Sequence, residues 1–334
     1  MPHALPLPPL DDLTRDAHVV ALPLRNRFRG VDVREALLVE GPNGWTEFSP
    51  FVEYESAEAS AWLAATIDFG WGPAPVAVRS SVLVNATLPA VDAALVPGIL
   101  RRYPGCRTVK VKVAEPGQSL AHDVARVRAA REFVGDSGRV RIDANTNWSI
   151  DQTLEALEAL APFALEYVEQ PVRTVPELAA VRDRIAAEGL GVPVAADESV
   201  RKATDPLAVA RAGAADLLVI KAQPLGGITP ALRVVQDAGL PVVVSSAIDT
   251  SVGLSMGAYL AASVPSLDHD CGLGTAAMFT SDVTREPLLP SGGAIDVRRV
   301  DVDVDLLRAS AAAPERREWW LARVAACYRQ LEQR

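Results

Sequence analysis

Thr108-Val109-Lys110-Val111-Lys112-Val113 is the stretch on which the reading of this 334-residue chain turns. Side chains alternate along a strand, so the three valines share one face and the two lysines the other. The chain has only four lysines, Lys110, Lys112, Lys202 and Lys221, and carries the rest of its positive charge on arginine. An ammonium gives up a proton when its surroundings lower its pKa, whereas a guanidinium in practice does not. Lysine retained in so arginine-rich a chain points to proton transfer. The competing reading is a half-exposed edge strand with two solvated lysines, the ordinary situation of charged residues. The surrounding chain decides between them.

From about residue 80 onward, short apolar strands alternate with Ala-, Leu- and Arg-rich helical windows. The strands fall at 81–86, 108–114, 139–144, 166–170, 192–197, 216–222, 241–247 and 266–270, and the clearest helices at 119–134, 149–160, 176–188 and 227–238. Strands alternating with helices make parallel βαβ units, and about eight in succession imply a closed (β/α)8 barrel. A doubly wound sheet would need a Gly-rich phosphate turn after its first strand, and Val84-Asn85-Ala86-Thr87-Leu88 is not one. Before the barrel, 16–24, 31–40 and 44–51 alternate like strands of a small antiparallel sheet, and 56–68 reads as a helix. After residue 285 the pattern breaks, and 314–332 reads as an amphipathic helix. The expected organisation is α/β: an α+β capping domain over 1–80, a modified TIM barrel over 81–285, and 286–334 packing back on the cap.

Bulk properties narrow the function. A net charge of −9 argues against nucleic-acid binding, which needs a basic surface. Neither a signal peptide nor an uninterrupted apolar run of membrane-spanning length stands out, which points to a cytoplasmic enzyme without a membrane partner. Three widely spaced cysteines without a CxxC pattern suit reduced thiols. The four histidines lack ligand spacing, against a zinc site or a Ser-His triad. The oligomeric state stays open, with a monomer admissible.

Barrel chemistry gathers at the C-terminal ends of the strands. There the second strand carries Lys110 and Lys112, and the third Arg141, Asp143 and Asn145 on one face. The fourth ends at Glu169, the fifth at Asp197, the sixth at Lys221 and the seventh at Ser245-Ser246. Asp143, Glu169 and Asp197 are separated by 26 and 28 residues, one strand-plus-helix unit each, which sets three carboxylates on consecutive strands. Taken singly, each has a plain explanation as cap, turn or surface charge. Together they repel one another unless a divalent cation sits among them, and all-oxygen ligation suits Mg²⁺, with Mn²⁺ as a substitute. Lys112 and Lys221 flank this site on opposite sides. That arrangement suits proton abstraction next to a metal-bound carboxylate by a lysine of lowered pKa. Lys110, Arg141 and Lys221 are cations placed to lower Lys112, and Lys110 tunes it without moving the proton.

The residues Lys110-Val-Lys112, Asp143-Ala-Asn145, Glu169-Gln-Pro171, Asp197-Glu-Ser199 and Lys221-Ala-Gln-Pro-Leu-Gly-Gly227 resemble the enolase superfamily, in its lysine-x-lysine branch. Within that branch, Arg27-Phe-Arg-Gly through Arg34-Glu, Gly44-Trp-Thr-Glu-Phe-Ser-Pro-Phe51, Val84-Asn-Ala-Thr-Leu-Pro89 and Ser245-Ser246 are similar to the actinobacterial-type o-succinylbenzoate synthase family. The resemblance implies Mg²⁺-dependent syn-dehydration of 2-succinyl-6-hydroxy-2,4-cyclohexadiene-1-carboxylate in menaquinone synthesis. It implies that Lys112 takes the ring proton and returns it to the leaving hydroxyl, while Lys221 stays cationic over the ring. Ser245, Ser246 and the Gly272-Leu-Gly274 loop would face the succinyl tail. The alternative on the same scaffold is an N-succinylamino acid racemase or dipeptide epimerase. An epimerase would show an acidic loop at the eighth strand, where this chain has Asp268-His-Asp270. A catalytically dead barrel acting as a scaffold would tolerate loss of the three acids.

Overall fold

The computed structural model describes residues 6–73, 75–201 and 205–333; Lys202 lies outside them. Three antiparallel strands, β1 (His18–Phe28), β2 (Val31–Gly41) and β3 (Gly44–Phe48), form the cap sheet. The Ser56–Trp71 helix covers it, burying Trp62, Leu63 and Phe69. The β1–β2 hairpin turns at Arg29 and Gly30, both with positive φ, the backbone that right-twisted strands need at a tight turn. The Pro314–Glu332 helix returns to this sheet. Trp320 is fully buried edge-on against Phe48, its Nε1 donates to Glu35, and Arg316 pairs with the same carboxylate.

Residues 81–86, expected as one barrel strand, do two jobs. β4 (Ser81–Leu83) pairs antiparallel with β12 (Ala294–Asp296), and β5 (Ala86–Leu88) begins the barrel. Residues 294–296 therefore pair with β4, the segment that leads into the barrel's first strand. From β5 the sheet runs in parallel through β6 (Thr108–Lys112), β7 (Arg139–Asp143), β8 (Leu165–Glu169), β9 (Val194–Ala196), β10 (Leu217–Ile220) and β11 (Val242–Val244). The eighth strand expected at 266–270 does not form. The ring is joined one residue later by single bridges, Val84 to Cys271 and Ser245 to Gly272. Ser266 and Asp268 are exposed and bond to each other, so that stretch has no ladder to join. This is a modified TIM barrel beneath an α+β cap.

Every residue of β6 is buried, because a parallel sheet is covered on both faces. Val109 and Val111 pack toward the helices, which leaves the lysine face nowhere to go but inward. Local signals set the helices: Ser149 with Gln152, and Thr174 with Glu177, form capping boxes, and Gly189 closes the Val175–Glu188 helix in the left-handed conformation. The Ser251–Ser263 helix went unread in the sequence, since its buried Gly, Ser and Ala show no amphipathic period. No helix among the described residues is long and apolar enough to cross a membrane.

Candidate active site

Parallel pairing puts Lys112 opposite Asp143 and Asp143 opposite Glu169, three strand-end residues in one row. Asp197 follows β9 and Lys221 follows β10 by one residue each. The backbone then turns sharply: Asn145, Thr146 and Gln170 all have positive φ, which directs the chain over the strand ends. One cleft gathers Lys110, Lys112, Asp143, Asn145, Asp197 and Lys221 with Ser245, Ser246 and Gly272. Glu169 is fully buried and meets this cleft through Lys110.

The ammonium groups occupy the carboxylates. Lys110 Nζ bridges Glu169 Oε1 at 2.6 Å and Asp143 Oδ2 at 2.9 Å. Lys112 donates to Asp143 and to Asn145 Oδ1. Lys221 Nζ lies 2.6 Å from Asp197 Oδ2, whose other oxygen receives Arg201 Nε at 3.2 Å. Asn145 Nδ2 in turn donates to Glu198 Oε1 at 3.2 Å.

Burial lowers the Lys112 ammonium to about 8; Asp143 opposes that fall, and the charges of Lys110 and Arg29 add to it. Burial works the same way on Lys110, but Asp143 and Glu169 outweigh it and hold this lysine well above its ordinary value. The two lysines of one motif are thus driven apart. Asp143 is held well below the carboxylate range against its burial, chiefly by Lys110 and then Lys112. Asp197 is held low, also against burial, by Lys221 and Arg201. Glu169 goes the other way, pushed up to about 7 by burial and by the neighbouring Asp143.

Arg141 lies one pleat below Asp143, paired in register with Lys110. Its guanidinium is taken up inside the barrel by Glu166, the Tyr167 hydroxyl and the Asp270 carbonyl, and it does not line the cleft. The cation that acts on Lys112 beside Lys110 is Arg29, from the cap hairpin. Lys112 also lies 5.0 Å from the centroid of the Phe28 ring. Ser246 Oγ donates to the Gly272 carbonyl at 2.8 Å and meets Thr275 Oγ1 at 2.9 Å, so the two serines are tied to the segment that joins the ring. A Cβ on Gly272 would overlap Ser245 Oγ, so a larger residue there would have to turn that hydroxyl aside. The sequence reading missed Phe28, Phe51, Thr87, Ala247, Ile248 and Thr275, all lining the cleft. For Phe28 the available signal was its place at a hairpin tip; the others have none.

The acids that would serve an amine-binding loop lie elsewhere. Asp270 bonds Thr108 and Arg139, which start β6 and β7, and Asp268 is exposed. Neither lines the cleft.

For a divalent cation, no three acidic, Cys or His side chains among the described residues converge as a ready-made cage. The donor set nevertheless fits one. All three carboxylates end consecutive strands, Glu169 Oε2 is buried with no hydrogen-bond partner, and an ammonium already bridges Asp143 and Glu169 as a cation would.

Residues 98–300 match the family described as enolase C-terminal domain-like, and 19–70 the enolase N-terminal domain-like family. The o-succinylbenzoate synthase of Mycolicibacterium smegmatis is 53% identical over 323 residues, covering 96% of this chain and 98% of that protein. That of Mycobacterium marinum is also 53% identical, with 96% and 95% covered. Among solved structures, the muconate lactonizing enzyme of Pseudomonas fluorescens superposes with a TM-score of 0.74 at 20% identity over 89% of this chain and 98% of that one. The N-succinyl Arg/Lys racemase of Bacillus cereus gives 0.73 at 20% identity, covering 89% and 97%. At that identity the likeness speaks for the fold. With the row of strand-end lysines and carboxylates in place, the chain belongs to the o-succinylbenzoate synthase family of the enolase superfamily.

Proposed function

We propose that this protein is an o-succinylbenzoate synthase, a carbon–oxygen lyase that dehydrates 2-succinyl-6-hydroxy-2,4-cyclohexadiene-1-carboxylate to the aromatic product. The observation that carries the residue assignment is the single cleft lined by Lys112 and Lys221, from strands on opposite sides of those bearing the three carboxylates. Asp143, Glu169 and Asp197 would hold Mg²⁺. Bound there, the cation neutralises charge that builds on the substrate carboxylate when the neighbouring carbon loses its proton.

Lys112 serves as the base. Asp143 and Asn145 fix its Nζ, and Lys110 and Arg29 favour its neutral form. Protonated after the first step, it returns that proton to the departing hydroxyl, which suits loss of water from one face of the ring. Lys221, anchored on Asp197, stays an ammonium over the ring and gains from the ring's growing π-density. Phe28, Phe51 and Ile248 supply apolar wall and exclude water.

The test is turnover of that cyclohexadiene carboxylate by purified protein, with and without Mg²⁺, followed by loss of diene absorbance and by product mass. No turnover in the presence of Mg²⁺ would sink the assignment.

A further inference from the structure

The wall of the cleft opposite the lysine motif, Ser245 to Ile248, is followed by a turn that the barrel does not hold by itself. Ile248 has φ +61°, a conformation that a β-branched residue adopts only under constraint. The constraint comes from the cap. Arg34 on β2 donates its Nε to the Ile248 carbonyl at 3.2 Å and another nitrogen to the Ser49 carbonyl. Glu47 on β3 reaches the residues after the turn. Its Oε2 accepts from the Thr250 amide at 3.1 Å, the Thr250 hydroxyl at 2.5 Å and the Gly253 amide at 3.1 Å. Its Oε1 accepts from Ser49 Oγ. Both side chains are buried, and a Cβ on Gly253 would stand 2.8 Å from Glu47 Cδ and from Asp249 Cβ, so the fit has no slack.

We propose that Glu47 and Arg34 are positioning residues by which the cap holds the Ser245–Ile248 wall of the cleft in its binding conformation. They touch neither Lys112 nor the carboxylates, so they act on how the substrate is received and not on the proton transfer. The wall they hold carries Ser245 and Ser246 together with the aliphatic Ala247 and Ile248, which suits the part of the substrate remote from its ring carboxylate. The inference rests on the dehydratase reading for its kinetic consequence, but not for its structural one.

Removing the carboxylate leaves Ser49 Oγ and three donors at the start of the Ser251–Ser263 helix without a partner, and a strained turn then relaxes. Glutamine keeps an acceptor oxygen in place; aspartate keeps the charge but falls one methylene short. Glu47→Ala and Glu47→Asp are therefore expected to raise KM at least about 10-fold while kcat changes less than about 3-fold. Glu47→Gln should restore KM to within about 3-fold. Amide exchange of the peptide spanning 245–253 should quicken in the Ala and Asp variants and not in Gln. Should Glu47→Ala not fold, Glu47→Asp carries the test. A lowered melting temperature with unchanged KM and unchanged exchange at 245–253 would overturn the proposal, leaving Glu47 a purely structural residue. Faster exchange in a protein whose wild type turns over no diene would leave the clamp standing and remove the dehydratase reading instead.

Discussion

Lys221 Nζ sits 2.6 Å from Asp197 Oδ2, on the strand next to its own, while Lys112 closes on Asp143 two strands further round. The two lysines are therefore moored to different carboxylates, and substitution separates their roles. If Lys221 acts as a fixed cation, Lys221→Arg keeps dehydration within about 10-fold of wild type, while Lys221→Met loses about 100-fold or more. Steady-state assays decide it. An arginine variant as inactive as the methionine one would make Lys221 a proton carrier and favour two-base racemisation.

Lys112→Arg and Lys112→Ala should each lower kcat by about 1000-fold or more, because a guanidinium replaces the charge but not the base. Arginine rescue at position 112 would remove Lys112 from the proton transfer. The contrast between positions 112 and 221 under one substitution is the sharper form of the test.

Binding of Mn²⁺, read by the loss of its free paramagnetic signal, should weaken at least about 10-fold in Asp143→Asn, Glu169→Gln and Asp197→Asn. Divalent binding must displace Lys110 from its bridge between Asp143 and Glu169. Lys110→Met should then leave those oxygens free and keep Mn²⁺ affinity at least as tight as wild type, even as activity falls. Equal Mn²⁺ affinity in wild type and all three carboxylate variants would refute this ligand set.

Much of this site was legible because strand ends in a parallel barrel form a list, with the three carboxylates one βα unit apart at spacings of 26 and 28 residues. Arg141 shows the limit of that logic. Period-2 alternation gave its face correctly, but not its depth, and one pleat lower it belongs to the barrel interior with Tyr167 and Glu166. The eighth strand was missed for a related reason. The alternation of strands and helices called for an eighth strand near 266–270, whereas a strand needs a neighbour in register, and the bridges fall at Cys271 and Gly272. Among the cap residues, the hairpin tip was the signal available for Phe28 and Arg29, whereas nothing local in the sequence ties Glu47 to the turn after β11.

Gly227 offers a stability test of the contact between cap and barrel. Its φ is +126°, and an added Cβ would stand 2.5 Å from Asp68 Oδ2, the cap carboxylate that accepts from the Ile228 amide at the start of a barrel helix. Gly227→Ala meets strain and a lost cap together, and is expected to cost ~2–4 kcal/mol by urea denaturation. Gly239, whose added Cβ meets nothing, should cost less on the same substitution. Equal losses at the two positions would show that the Asp68 contact contributes nothing beyond the backbone strain.

Glu47 also sets a pH dependence of stability. Burial and the charge of Asp249 push it up to about 7 from 4.5, against the hydrogen bonds of Ser49 and Thr250 and the charge of Arg34. Asp249 is raised as well, by its burial. A carboxyl whose folded pKa is raised favours the native state while protonated. That stabilisation is complete below the ordinary value of 4.5 and is lost as pH rises through about 7. Glutamine mimics the protonated form at every pH. Wild type and Glu47→Gln should therefore have similar urea stabilities near about pH 5, and the variant should be more stable by ~2–3 kcal/mol near about pH 8. Carboxylates held low by lysines, such as Asp143 and Asp197, lose their contribution only at more acidic pH and do not enter this window. Parallel stability curves for the two proteins between those pH values would mean that Glu47 is ionised in the native state throughout, held so by Arg34 and the donors of Thr250 and Gly253.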